Sequence, residues 1–221
     1  MRFFTLEPAE DLDEAHYVLT DYSKDWEETY PWARWNPAAL RVVRCPLKPE
    51  HLREEVPEEE GELRASLIFP EEKDEVADFT WTDRGECLVT EAVLQLFRQA
   101  GFTGFEPRRV LVETVAGDNG DRVGGSHNLP ELWHLFITGR GGEADPQSGI
   151  ELLSSCEACG FREYSDAQDG IRVAERNWDG TDFFTVNGYP GLILITERVR
   201  DLIVTRELEN CALTPAEDWK A

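Results

Sequence analysis

"GECLVTEAVLQLF", residues 85–97, and "GLILITERVRDLI", residues 191–203, decide the fold, because the second lies on the first at a shift of 106 residues that places Thr196 on Thr90. Gly85, Leu88, Thr90, Glu91, Val93 and Leu96 meet identical residues at Gly191, Leu194, Thr196, Glu197, Val199 and Leu202. The physical pattern repeats with the letters. A short apolar run, Cys87 to Val89 or Leu192 to Ile195, reads as a buried strand. The threonine and glutamate after it read as a helix N-cap and a first-turn acid, placed where backbone N–H groups lack partners. Val93, Leu94, Phe97 and Ala100 recur at three- and four-residue spacing and Gly101 is placed to stop the helix, while Val199, Leu202 and Ile203 repeat the stripe. A return strand ending at proline, "GFEP" or "CALTP", closes each copy. Each stretch therefore predicts strand, helix, strand, over about 85–107 and 191–215, with the Thr-Glu pairs acting as caps. The two units are expected to share one sheet.

Around these units "MRFFTL", "RASLIF", "RRVLVETV" (108–115) and "ELWHLFITG" (131–139) read as strands, rich in β-branched and aromatic residues and bounded by turn chemistry such as "AGDNGDRVGGSHN". "HLREEV" reads as a helical turn, and "TYPWARWNPAALRVVR" as an aromatic-rich loop entering a strand. The expected class is α+β, with mixed β-sheets and a few short helices. An N-terminal half, 1–110, and a C-terminal half, 111–221, carry one unit each, and the two can form one continuous domain.

A chain of 221 residues that is 41% hydrophobic can bury a core of ordinary size. Acids appear at Glu7, Glu10 and Asp11, before any signal-like apolar run, and nowhere do eighteen apolar residues follow one another, so a cytoplasmic protein is expected. Against 22 basic residues stand 45 acidic ones, a formal net charge of −23. That balance argues against nucleic acid and anionic membranes as partners and leaves two readings, a solvated surface or a face for a basic partner. Residues 7–28 concentrate acids among aromatics, which makes Asp21, Tyr22, Asp25, Trp26, Glu27 and Glu28 candidate contacts. "REEVPEEEGE" adds Glu54, Glu55, Glu58, Glu59 and Glu60, in a run that solvation alone also explains.

Catalytic patterns are absent: there is no GxSxG, Walker A loop, GxGxxG or HExxH, and His16, His51, His127 and His134 fall in no Cys/His signature. No enzymatic activity is expected. "SSCEACGF", 154–161, holds Cys156 and Cys159 at the spacing of a zinc knuckle, and Gly160 suits the turn that points backbone N–H groups at sulfur. Two thiols are half of a tetrahedral site. The other half would have to come from Cys45, Cys87, Cys211 or the histidines, none of which forms a second close pair. The expectation is therefore no cofactor, with one zinc ion held in part by Cys156 and Cys159 as the alternative.

"SCEACGFREYS" and the later "DGTDFFTVNGYPGLILITERVRDLIVTRELENCALTP" resemble the C-terminal half of the double-CxxCG-motif immunity proteins of myxobacteria. Cys156, Cys159 and Gly160, then Asp182 and Phe183, then Thr196, Glu197 and Arg198 match that pattern in order, and "MRFF" resembles the family's start. The first of the family's two CxxCG motifs is absent here, with only Cys45 in its expected region. The resemblance implies a small cytoplasmic antidote that binds and neutralises a cognate protein toxin by stoichiometric blocking, and the charge of −23 leads to the expectation that this toxin is basic. The competing expectation is a zinc-binding structural or adaptor protein without catalytic activity.

Overall fold

Both repeated stretches form a β-hairpin, a nine-residue helix and a return strand in the computed structural model, which describes residues 1–9, 16–19, 41–55, 62–69, 76–82, 85–117, 129–167 and 170–220. In chain order the strands are β1 (Phe3–Glu7), β2 (His16–Leu19), β3 (Arg41–Arg44), β4 (Leu52–Glu55), β5 (Glu62–Phe69), β6 (Phe79–Trp81), β7 (Cys87–Thr90) and β8 (Phe105–Gly117). There follow β9 (Leu132–Ile137), β10 (Gly139–Arg140), β11 (Leu152–Ser155), β12 (Arg162–Tyr164), β13 (Phe183–Val186), β14 (Tyr189–Thr196) and β15 (Ala212–Pro215). Helix α1 spans Glu91–Gln99 and α2 spans Glu197–Thr205. The class is α+β, as expected.

The units do not share a sheet. The first belongs to a six-stranded sheet ordered β2-β5-β8-β9-β7-β6, and the second to a five-stranded sheet ordered β10-β13-β14-β1-β15. In each, one antiparallel strand lies between the strand before the helix and the strand after it: β9 between β7 and β8, β1 between β14 and β15. The registers correspond at the same shift of 106, since Leu88 faces His134 and Arg108 faces His134 in one sheet, while Leu194 faces Thr5 and Thr214 faces Thr5 in the other. The physical reason for two sheets is burial. Each sheet has an apolar inner face, and the two faces with both helices close over one core: Phe4, Leu6, Phe183, Ile193 and Ile195 meet Phe79, Trp81, Cys87, Val89 and Leu135, with Val93, Phe97, Val199 and Ile203 from the helices.

The units also tie each other's loops. Asp78 Oδ2 accepts from the Glu209 backbone N–H at 3.1 Å, and Asp182 Oδ2 accepts from the Thr103 N–H at the same distance. Thr103 and Glu209 are themselves equivalent positions. So are the left-handed residues that end the helices and turn the chain, Gly101 with Glu207 (φ 68° and 54°) and Gly104 with Asn210 (φ 94° and 62°).

Two local expectations change. Residues 52–55 form β4 rather than a helical turn, because Leu52 to Glu55 pair with Arg44 to Arg41. β8 runs on through Pro107 to Gly117, joining the short return strand to "RRVLVETV". Pro107 sits where β8 pairs with β9 alone, before the β5 ladder begins at Arg109, and a strand with one open side tolerates a missing N–H. Among the described residues no helix is long and apolar enough to cross a membrane.

Candidate metal centre

Two small hairpins stand apart from the large sheets, β3–β4 and β11–β12. Each carries a knuckle at its turn. In "CEACGF" the Cys156 N–H donates to the Phe161 carbonyl and the Gly160 N–H donates to the Cys156 carbonyl, both at 2.8 Å. Gly160 takes φ 71°, the left-handed conformation for which glycine has no Cβ penalty. In "CPLKPEH" the Cys45 N–H donates to the His51 carbonyl at 3.2 Å, the His51 N–H to the Lys48 carbonyl at 3.1 Å, and the Leu47 N–H to Cys45 Sγ at 3.4 Å. An N–H aimed at sulfur is how a knuckle steadies a thiolate.

The knuckles meet. Cys45 Sγ lies 3.7 Å from Cys156 Sγ, His51 Nδ1 lies 3.8 Å from Cys159 Sγ, and the donor atoms of all four residues fall within 4.8 Å of one another. A tetrahedral zinc with metal–sulfur bonds near 2.3 Å needs sulfurs about 3.8 Å apart, so three thiols and an imidazole at this spacing fit that ion. Cys45 and His51 are buried, and Cys156 and Cys159 half-buried. The His51 ring stacks on Phe161 with centroids 4.2 Å apart and planes 16° from parallel, which fixes the plane of the imidazole whose Nδ1 edge turns to Cys159.

The thiols influence one another's protonation. Burial alone would raise Cys45, but the Leu47 and Lys48 N–H groups and the two neighbouring thiols hold it below its ordinary value. Cys159 is pushed up, first by burial and then by Cys45 and Cys156. Three crowded thiols cannot all ionise without a cation among them, and a divalent ion reverses that balance. The other two cysteines are different in kind: burial raises Cys87 well above its ordinary value and Cys211 to about 12, as expected of packed thiols.

One side chain anchors the second hairpin to the body. The Glu143 carboxylate accepts from Arg162 at 2.9 Å, from the Tyr164 hydroxyl at 3.2 Å and from Asn187 at 2.9 Å. Cys156 and Cys159, taken from the sequence as half a site, thus gain Cys45 and His51 as neighbours. The signal that could have named these two is local: Cys45 directly follows the strand "RVVR" as Cys156 follows "LLSS", with a turn and a second strand after each. Of the candidate contact residues, Asp21, Tyr22, Asp25, Trp26, Glu27, Glu28, Glu58, Glu59 and Glu60 lie outside the described residues, and Glu54 and Glu55 are placed as backbone of β4. His134 is a buried strand residue, and Glu91 and Glu197 occupy first helical turns. No family model matches this chain, and no characterised protein matches its sequence as a relative.

Proposed function

We propose that this chain is a metal-stapled binding protein without catalytic activity, acting in the cytoplasm as an immunity protein that captures a cognate basic toxin one to one. The observation that carries the reading is the quartet of Cys45, His51, Cys156 and Cys159. Four protein donors close a zinc site, whereas a catalytic zinc keeps one position for water or substrate. Such an ion would join segments 111 residues apart, a role in holding shape. The net charge of −23 and the likeness of "SCEACGFREYS" and "ITERVRDL" to the antidote family support a basic protein as what that shape meets.

Two measurements test it. Elemental analysis of the purified chain is expected to give one zinc per molecule, and chelation to lower Tm by roughly 10 °C, because reopening so long a loop costs about 4 kcal/mol. Co-expression with the toxin-like product of an adjacent gene is expected to restore growth and yield a 1:1 complex. Zinc without protection would leave the adaptor reading, which the same quartet favours; protection without zinc would sink the staple.

A further inference from the structure

We infer that the partner docks on the two stapled hairpins, gripping Leu47, Leu152 and Leu153 with an apolar projection set in a cationic surface. This rests on the binding reading above. Among the described residues six large apolar side chains are exposed, and three of them are these leucines, at 74%, 50% and 58%. Leu47 sits in the first knuckle with its N–H on Cys45 Sγ, while Leu152 and Leu153 begin the strand that ends beside Cys156. The other three, Met1, Leu111 and Val204, lie singly on separate elements. Scattered exposed leucines are ordinary; three carried by two hairpins whose thiols lie 3.7 Å apart are not scattered.

Charge identifies what covers it. From 143 to 166 the chain carries Glu143, Asp145, Glu151, Glu157, Glu163 and Asp166 against Arg162 alone, and Arg162 is already held by Glu143, whereas beside Leu47 the exposed Glu50 stands with exposed Arg44 and Lys48, so the acidic side of the face is the second hairpin. Glu151, Glu157 and Glu163 are exposed on the hairpin itself. An apolar centre with carboxylates along the second hairpin matches an apolar anchor whose lysines or arginines lie on that side, the charges setting the encounter rate and the centre the lifetime of the complex. The mode is side-chain docking, because the register of β11 on β12 shifts between Leu152 and Ser154, and such a bulge spoils an edge for an added strand. Rigidity favours the same face: the Glu143 hub and the closed quartet order these hairpins before a partner arrives, so little ordering is left to be done on binding.

The test uses the full chain and, as probe, the active-site-inactivated product of the adjacent toxin-like gene, with affinities from calorimetry and association rates from stopped-flow mixing, each at two salt concentrations. Leu152→Lys with Leu153→Lys is expected to weaken binding at least about 50-fold, two buried aliphatic side chains being lost and two cations added. Glu157→Lys is expected to slow association about three- to tenfold, most at low salt, while Val204→Lys on α2 changes nothing. Zinc content and Tm of each variant, held at the wild-type values, show that the fold is intact. If the wild-type chain does not bind the probe, the immunity reading falls and this surface with it. If the wild type binds and the double lysine variant binds equally well, the reading stands and the surface is wrong.

Discussion

The two strand–helix–strand units share a backbone and differ in how their side chains hold it. In the first, Thr90 caps α1 in the ordinary way, its hydroxyl accepting from the Val93 N–H at 3.4 Å. In the second, Thr196 stands at the same place with the same extended backbone, yet its hydroxyl donates to Asp182 Oδ1 at 3.0 Å instead. Asp182 in turn is 4% exposed and also takes the Thr103 N–H, the Thr103 hydroxyl and an ion pair with Arg198. Its counterpart Asp78 accepts from the Glu209 N–H. Repetition conserves position, and burial decides which bonds each position makes.

That difference can be broken at its tightest point. A Cβ added at Gly104 would stand 2.0 Å from the Phe183 carbonyl oxygen, while the equivalent Asn210 fits and donates to the Phe79 carbonyl. Gly104→Asn, which copies the second unit into the first, is expected to cost at least about 4 kcal/mol by chemical denaturation, since the obstruction is backbone. Asn210→Gly, the reverse copy, is expected to cost about 1 kcal/mol.

The paired aspartates come next. Asp182→Ala leaves the buried Thr196 hydroxyl without its acceptor and frees the exposed Thr103 N–H and hydroxyl to water, and a loss of about 2 kcal/mol is expected; Asp78→Ala is expected to cost about 1 kcal/mol. Equal costs in the two variants would show the units to be energetically alike despite their contacts.

The middle strands offer a pH test. Where β1 has Thr5, β9 has His134, whose Nδ1 is buried without a partner among the described residues. Burial, helped by the nearby Arg108 charge, lowers its pKa to about 4. The folded state therefore keeps it neutral while the unfolded chain protonates near pH 6.5. Stability from this group is present above about pH 6.5 and is lost as pH falls toward 4, by up to about 3 kcal/mol. His134→Thr, taken from the equivalent place, is expected to flatten that slope between pH 6.5 and 4.

The smallest effect concerns helix ends. Glu207 holds φ 54°, where Gly101 serves the first unit. Glu207→Gly is expected to gain up to about 1 kcal/mol and Gly101→Glu to lose about as much, measured by thermal melting.

Much of this architecture was legible because it is local. Threonine, glutamate and an apolar stripe marked both helices, which end at equivalent residues, and Gly160 marked the second knuckle. Pairings across the chain were not legible. Nothing in the periodicity of "FFTLE" says that it will lie between β14 and β15, and nothing in "CPLKPEH" says that its thiol will face one 111 residues away. Those contacts depend on which faces the folded sheets present, and a cysteine and histidine six residues apart with two prolines between them read first as a turn. Thr196 shows the same limit in miniature, since only its neighbours in space turn a cap into a donor.

β1 carries a consequence for the order in which the molecule is made. The first sheet's middle strand, β9, follows its partners β7 and β8 closely, so that unit can assemble as it leaves the ribosome. The second sheet's middle strand is made well before either of its neighbours. Its sheet can close only once β14 and β15 are available, leaving Phe4 and Leu6 without their apolar cover until then. Translation thus presents half a core first, and the earliest strand in the chain is among the last to find its place.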